Sequence, residues 1–232
     1  MNEGTDVFIS GGGIAGLAAA AGFAARGLTV TLVDPSKPDT KASDPGADLR
    51  STAFLQPARS LLEANGVWDA LAPHATPLET LQVIDTAGDP PEPLVTRAFQ
   101  SSDISDEPFG WNIPNWLTRS VLTDVLTGAP NVDLRIGAGF DTILTRETEV
   151  RIRLTDGSKL KAGLAVAADG RASPLRTALG IDTKTVRYGQ KALAFAVTHD
   201  EPHHNISTEL YHQGGAFVLV PLPDHQGKPA SS

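Results

Sequence analysis

The chain has 232 residues, of which 41% are apolar, and this is enough to build a buried core. Its formal net charge of −8 argues against a nucleic-acid partner, because binding to a phosphate backbone needs a basic surface. The absence of cysteine excludes disulfide and thiolate chemistry and is compatible with a cytoplasmic location, and no apolar run reaches the roughly 20 residues of a membrane-spanning helix.

A β-α-β unit is predicted at the start of the chain. An apolar strand over Val7–Ser10 leads into the glycine-rich loop GGGIAG, and a helix over about Ile14–Arg26 follows the loop. Gly27 is expected to end this helix, and a second strand is predicted over Leu28–Val33.

The glycine loop fits the GxGxxG pattern of dinucleotide-binding proteins. Gly11 permits a tight turn, Gly13 lets the backbone approach a pyrophosphate, and Gly16 lets the helix pack closely on the strand. The backbone N–H groups of this loop, those of Ile14 and Ala15 included, lack partners inside the first helical turn and can bind phosphate oxygens. The alternative is a glycine-rich turn that only packs tightly.

Asp34 strengthens the prediction of a dinucleotide site. It closes the second strand 18 residues after Gly16, where a carboxylate can accept hydrogen bonds from ribose hydroxyls. A carboxylate at this place would also repel a ribose 2′-phosphate. The unit therefore predicts FAD or NAD rather than NADP, and leaves the choice between the first two open.

The middle of the chain combines helices with antiparallel strands. The polar, proline-rich stretch 35–50 is predicted to be an exposed loop, and a helix is predicted from Pro57 to Gly66. Alternating apolar residues on both sides of a Gly-Asp-Pro-Pro turn predict a hairpin within 78–100. A second helix is expected to follow Asn115.

From Val132 onward the pattern is typical of β-structure. The predicted strands are VDLRI, DTILTRETEVRIRL, KLKAGLAVAADG, KALAFAVTHD, STELYHQ and GAFVLVPLP, and a polar tail ends the chain. The second and third are joined by an Asp-Gly hairpin turn at 156–157.

An apolar strand also ends at Asp169, and a short helix is predicted directly after it, over Pro174–Leu179. Ser173 can cap this helix through its hydroxyl group. Asp169 is therefore expected at the carboxyl end of a strand, where ligands collect in open α/β sheets.

The segment ADGRASPLR, from Ala168 to Arg176, resembles the DG fingerprint of the flavin-dependent aromatic hydroxylases built like p-hydroxybenzoate hydroxylase. Within that group the chain is most similar to the hydroxylases of ubiquinone biosynthesis. The resemblance covers nearly the whole chain, through the glycine loop, DLRSTAFLQPARSLLEANGVWDAL, WNIPNWLTRSVLTDVL, ADGRASPLR, YGQKALAFAV and EPHHNISTELYHQGGAFVLVPLP.

The resemblance implies an α/β fold with a Rossmann-like FAD/NAD(P)-binding domain that begins with β-α-β. This domain is interleaved with a mostly antiparallel β-sheet substrate domain. Residues 1–74 and 104–183 are expected to form the discontinuous FAD-binding domain, and 75–103 and 184–232 an incomplete substrate domain. Relatives carry a further Gly-Asp motif that closes the flavin site. No segment after Val220 supplies it, so the chain is expected to be truncated, to bind FAD weakly or not at all, and to be inactive.

The resemblance also implies individual roles in binding FAD. The three glycines of the loop would hold the pyrophosphate, and Asp34 would hold the adenosine ribose. Arg50 matches an arginine near the flavin and its phosphates, and its alternative is an ion pair with Asp48. Asn115 matches a position from which relatives contact the flavin ribityl chain, and its alternative is a helix N-cap.

On the other side of the expected groove, Asp169 would lie near the cofactor. Arg171 and Arg176 would lie beside a site visited by NAD(P)H, and the alternative for Arg176 is an exposed helix residue. No catalytic acid or base is assigned. The histidines between 199 and 212 are not expected to bind a metal, because their strand-turn-strand context does not give ligand spacing.

The activity implied is hydroxylation of a hydrophobic, prenylated phenol with FAD, NAD(P)H and O2. The alternatives are an FAD-dependent reductase or dehydrogenase and a non-catalytic dinucleotide-binding protein. The resemblance leaves open peripheral association with the inner membrane, association with a biosynthetic complex, and a homo-oligomer.

Overall fold

A computed structural model describes residues 3–212 and 214–232. Its strands are β1 (Glu3–Ser10), β2 (Val30–Asp34), β3 (Ser51–Leu55), β4 (Thr76–Leu78), β5 (Thr80–Ala87), β6 (Glu92–Gln100), β7 (Gly110–Pro114), β8 (Val132–Ile136), β9 (Phe140–Thr145), β10 (Val150–Leu154), β11 (Lys159–Ala167), β12 (Val197–Thr198), β13 (Ile206–His212), β14 (Gly215–Leu219), β15 (Pro221–His225) and β16 (Lys228–Ser231). Its α-helices are α1 (Ile14–Ala24), α2 (Gln56–Ala64), α3 (Trp68–Leu71), α4 (Asn115–Thr127) and α5 (Pro174–Ala178), and 3₁₀ turns cover Ala72–His74 and Ser101–Asp103.

The largest sheet has the strand order β8-β2-β1-β11-β10-β9. Its first four strands are parallel, and β10 and β9 continue it as an antiparallel pair. Residues 7–10 of β1 are buried on both faces, as expected for a central parallel strand. The predicted β-α-β unit is confirmed, because β1 and β2 are parallel neighbours joined by α1.

Helices α1 to α4 form one hydrophobic layer with this sheet. Val7 and Ile9 point into that layer, whereas Phe8 points to the opposite face. There Phe8 packs in a second cluster that includes Leu154 of β10 and Leu175 of α5. The alternating side chains of β1 therefore pack into two hydrophobic clusters, one on each face of the sheet.

The remaining sheets are mostly antiparallel. The β5–β6 hairpin pairs with β13, which lies parallel to β5, and β14 completes this sheet. A second sheet has the order β3-β7-β4 and a third has the order β12-β16-β15. Since β5 and β6 lie between α3 and β7 in the chain, the predicted α/β class with an interleaved antiparallel region is confirmed.

Several details differ from the sequence predictions, and the predicted strand 215–223 is one of them, since β14 and β15 divide it. The segment 141–154 belongs to two strands, because a turn closed by the Arg146 N–H and the Glu149 carbonyl divides it. The tail is not merely polar, since β15 and β16 form a hairpin there. Of the predicted strand 191–200 only β12 forms, because most of this exposed segment has no neighbouring strand to pair with. The predicted strand 207–213 ends at Gln213, which lies outside the described residues.

Within the described ranges, no helix is long and apolar enough to cross a membrane.

Candidate functional site

A groove of about 700 Å³ lies at the carboxyl ends of β1, β2 and β11. It brings together residues that are far apart in the sequence, and among those predicted for the site it is lined by Gly11, Gly13, Ile14, Asp34, Arg50, Asn115 and Asp169. The glycine loop and the strand end at Asp169 therefore face one shared cleft. Ala15 and Gly16 lie behind this lining, in the first turn of α1.

The three glycines of the motif differ in what surrounds them. A side chain at Gly11 would collide with the backbone of Ala168 and Asp169, and Gly11 also has a φ of +109°. A side chain at Gly16 would collide with the carbonyl oxygen of Gly11. A Cβ at Gly13 would meet no protein atom within 4 Å. Close packing therefore explains the need for glycine at Gly11 and Gly16. Beside Gly13 the groove is open, and a ligand can approach the backbone there.

Asp34 lies on the floor of the groove, and its carboxylate is held by the protein. Oδ2 accepts a hydrogen bond from the Gly12 N–H at 2.6 Å, and Oδ1 accepts one from the Ser36 N–H at 2.7 Å. Oδ1 also forms an ion pair with Arg119 Nη2 at 3.2 Å. The carboxylate is therefore joined directly to the glycine loop.

Arg119, on α4, is a residue of the groove that sequence reasoning missed. Its guanidinium also donates to the carbonyl oxygens of Gly12 and Ser36. The helical periodicity indicates only that Arg119 lies on α4. It does not indicate that this side chain contacts the loop at Gly12 and the loop at Ser36.

A polar network of Asp48, Arg50 and Asn115 lines another part of the groove. Arg50 donates to Asp48 through Nε at 2.7 Å and through Nη2 at 2.6 Å, so the alternative pairing considered for this arginine is present. The guanidinium holds the pKa of Asp48 at about 2. Asn115 donates to the same carboxylate at 3.0 Å and accepts from the Thr52 hydroxyl at 2.7 Å. The N-cap of α4 is Pro114, so the N-cap alternative for Asn115 is wrong.

Asp169 connects two strand ends at the third wall. Its Oδ2 accepts hydrogen bonds from the Ser10 hydroxyl and the Leu175 N–H, both at 3.1 Å, and Oδ1 accepts from the Ser173 hydroxyl. Ser173 caps α5 as predicted, because its oxygen accepts from the Arg176 N–H at 3.0 Å. Asp169 thus fixes the start of α5 beside the end of β1.

Arg171 and Arg176 lie near this wall without entering the lining of the groove. The Arg176 side chain donates to the Arg171 carbonyl oxygen at 3.1 Å. Among the histidines, His199 bonds to Glu201 and Ser231. No set of three or more His, Asp or Glu side chains suited to a metal ion occurs in the part of the chain that the structure describes.

The family match decides between FAD and NAD for this groove. Residues 4–228 match a family model described as FAD binding domain. The chain belongs to the FAD binding domain family. This membership confirms the predicted family and FAD as the cofactor.

Relatives of this FAD binding domain agree with that assignment. The chain is 31% identical to the ubiquinone hydroxylase UbiL of Rhodospirillum rubrum, over 95% of this chain and 50% of that protein. It is 28% identical to the ubiquinone hydroxylase UbiM of Neisseria meningitidis, over 97% of this chain and 49% of that protein. The chain thus spans about half the length of these curated relatives.

The fold of this FAD binding domain also occurs in the p-nitrophenol 4-monooxygenase PnpA of Pseudomonas putida. The TM-score is 0.79 at 19% sequence identity, and the match covers 100% of this chain and 57% of that one.

The groove fits FAD in its chemistry. The pyrophosphate needs N–H donors with no side chain in front of them, and the opening beside Gly13 offers such backbone. A ribose needs a hydrogen-bond acceptor, and Asp34 offers a carboxylate nearby. The groove of this FAD binding domain therefore contains donors and acceptors of the kinds that the cofactor requires.

Proposed function

We propose that the complete protein is an FAD-dependent monooxygenase that hydroxylates a phenolic ring with NAD(P)H and O2. The observation that carries the proposal is the open cleft shared by Gly13, Asp34 and Asp169. The relatives named as ubiquinone hydroxylases support the reaction class and favour a prenylated phenol as substrate.

In this proposal, the pyrophosphate of FAD lies against the loop from Gly11 to Gly16 and is bound by the backbone amides of Gly13, Ile14, Ala15 and Gly16. The N–H groups of Gly11 and Gly12 already donate to the Val33 carbonyl oxygen and to Asp34, so these two residues shape the loop. The support is that the loop ends in the first turn of α1, whose N–H groups have no partners inside the helix. Asp34 binds the adenosine ribose, because its carboxylate is next to the same loop.

Arg50 and Asn115 are proposed to contact the phosphates and the ribityl chain. The Arg50 side chain is 68% exposed and forms an ion pair with Asp48. Because the guanidinium is accessible, an anionic ligand can replace Asp48 as its partner. Asn115 lies near Arg50, because both side chains donate to the carboxylate of Asp48. Asp169 contributes by holding the strand end that faces the cofactor, and Arg171 and Arg176 lie towards the NAD(P)H side.

Bound FAD supplies the redox chemistry with NAD(P)H and O2. The chain's own residues have other tasks. The backbone of the loop places the cofactor, and the polar walls orient it. No side chain of this chain is proposed as a catalytic acid or base.

The domain division is also a proposal. The FAD-binding domain comprises residues 1–74 and 104–183, and the substrate domain comprises 75–103 and 184–232. Strand pairing supports it, because the β5–β6 hairpin of the first substrate segment pairs with β13 of the second.

A prenylated substrate would partition into a bilayer, so we also propose that a cytoplasmic enzyme meets it at the membrane surface. We further propose that the protein associates with a biosynthetic complex or with a second copy of this chain.

The reaction is tested with the purified complete protein, a prenylated phenol, NAD(P)H and ¹⁸O-labelled O2. We expect substrate-dependent NAD(P)H oxidation and one ¹⁸O atom in the hydroxylated product. Rapid NAD(P)H oxidation with electrons passed to another acceptor, and no labelled product, would favour the reductase alternative. Bound FAD without any NAD(P)H oxidation would favour a non-catalytic protein.

Replacing Asp48 by asparagine is expected to tighten FAD binding. The substitution removes the anion that competes with the phosphates for Arg50, and an exposed ion pair of up to about 1 kcal/mol corresponds to about a two- to fivefold lower Kd. Because the pKa of Asp48 is about 2, the carboxylate is charged at every pH above about 4. The gain should therefore be equal at pH 5.5 and pH 8.

The control for this variant is Asp141→Asn, which removes the partner of Arg153 on β9 and β10, since neither residue lines the groove. Fluorescence titration with FAD gives the Kd of both variants. An unchanged or higher Kd in Asp48→Asn would contradict the proposed role of Arg50.

A further inference from the structure

Arg119 connects three parts of the groove that lie far apart in the chain. Nε donates to the Gly12 carbonyl oxygen at 2.8 Å, and Nη2 donates to the Ser36 carbonyl oxygen at 2.7 Å. Nη2 also lies 3.2 Å from Asp34 Oδ1, and Nη1 lies 3.4 Å from the Lys37 carbonyl oxygen. One side chain from α4 thereby joins the glycine loop to the segment that follows β2.

The bonding of Arg119 differs from that of Arg50, which also lines the groove. The Arg50 side chain is 68% exposed and interacts with one exposed carboxylate. The Arg119 side chain is only 20% exposed, and each of its three nitrogens already faces a protein oxygen. Arg50 can exchange its contact with Asp48 for one with a phosphate. Arg119 could bind a phosphate only by breaking its hydrogen bonds to the two loops. Arg119 is therefore suited to hold the site and not to bind the ligand.

The contact to the Gly12 carbonyl controls the direction of the next N–H group. In a planar trans peptide, the C=O of Gly12 and the N–H of Gly13 point in opposite directions. A guanidinium that holds the carbonyl oxygen on one side therefore directs the Gly13 N–H to the other. Gly13 borders the open part of the groove, so this peptide plane has no side chain of its own to keep it in place.

The contact to Asp34 has a similar effect on the ribose acceptor. An ionised carboxylate has about four lone-pair positions. The N–H groups of Gly12 and Ser36 and the guanidinium of Arg119 use three of them. About one position remains for a ribose hydroxyl, and its direction is set by the other three.

We propose that Arg119 is a positioning residue that holds the glycine loop and Asp34 in the arrangement that binds FAD before FAD arrives. The proposal rests on the proposed function, since it takes the adenosine diphosphate half of FAD as the ligand. Preorganisation of this kind raises affinity because fewer groups must be ordered when the ligand binds.

The test compares Arg119→Met and Arg119→Lys with Arg135→Met in the complete protein. Methionine keeps the length of the side chain and removes the charge and all donors, whereas lysine keeps the charge and loses the forked geometry. Arg135 is a matched control, because its side chain is 21% exposed, pairs with Asp133 and lies outside the lining of the groove.

Three measurements are made on each variant: FAD titration by flavin fluorescence, ADP titration by calorimetry, and amide hydrogen exchange without ligand. For Arg119→Met we expect about a tenfold higher Kd for both ligands, with Arg119→Lys in between and Arg135→Met unchanged. The Gly12 and Ser36 amides, which donate to Asp34, should exchange faster in Arg119→Met than in the control.

Wild-type affinity in Arg119→Met would overturn the proposal, and so would unchanged exchange at the two amides. If Arg119→Met does not fold, Arg119→Lys decides through the same measurements, and wild-type values in it would overturn the proposal. A parent protein that binds neither FAD nor ADP would contradict the proposed function instead, while the exchange rates still decide whether Arg119 holds the loops.

Discussion

Substituting Gly13 by valine is expected to weaken FAD binding by about 100-fold and to lower the stability of the folded protein by no more than about 1 kcal/mol, the cost of valine at the N-cap of α1. Gly13 has φ −75° and ψ 175°, an extended conformation that valine adopts readily. No protein atom lies within 4 Å of a Cβ at this position, so the new side chain meets only the space where the pyrophosphate is proposed to lie. A branched side chain there would separate the phosphate from the loop, and each lost hydrogen bond to a charged group costs roughly 1.5–3 kcal/mol.

The matched control is Gly4→Val, since Gly4 also has no atom within 4 Å and lies near the opposite end of β1. Flavin fluorescence gives the Kd, and thermal unfolding without FAD gives the stability. Tight FAD binding by Gly13→Val would place the pyrophosphate elsewhere. A large loss of stability in Gly13→Val would mean that the glycine serves packing alone.

The start of the fold was predictable because its determinants are local. The apolar run, the glycine loop, the alanine-rich helix and Asp34 follow one another within a single β-α-β unit, and each acts on its neighbour in sequence. Helix α4 was predictable for the same reason, from apolar residues at helical spacing.

The walls of the groove were not predictable from local patterns. Arg119 reaches Gly12 across 107 positions in the chain, and Ser10 reaches Asp169 across 159. Such contacts depend on strand order, which periodicity does not reveal. The resemblance suggested Arg50, Asn115 and Asp169, and the pairing of Arg50 with Asp48 was considered as an alternative. The bond from Asn115 to the same carboxylate was not predicted.

The segment 191–200 shows a second limit of sequence patterns. Its alternating apolar residues are typical of a strand, but a strand exists only beside a partner that satisfies its backbone groups. In the structure, Val197 and Thr198 find β16, whereas Leu193 stays 90% exposed. The sequence pattern therefore shows that the segment favours the β conformation, but not whether another strand lies beside it to pair with.

Replacing Gly11 by alanine is expected to lower the free energy of unfolding by about 2–5 kcal/mol. Two effects add up. The φ of +109° disfavours any residue with a Cβ, by roughly 1–2 kcal/mol. The new Cβ would also collide with the backbone of Ala168 and Asp169, and such overpacking costs roughly 1–3 kcal/mol because strand ends cannot move aside as a flexible side chain can.

Gly137→Ala separates these two effects. Gly137 has a similar φ of +99°, but no atom lies within 4 Å of a Cβ placed there, so only the backbone strain of about 1–2 kcal/mol should remain. In a protein of this size each 1 kcal/mol lowers the Tm by roughly 2–4 °C, so Gly11→Ala should unfold several degrees below Gly137→Ala in calorimetry. Equal Tm values in the two variants would show that β1 and β11 can separate at their carboxyl ends. In that case the close approach of Gly11 to Asp169, on which the shape of the groove depends, would not be a rigid feature of the protein.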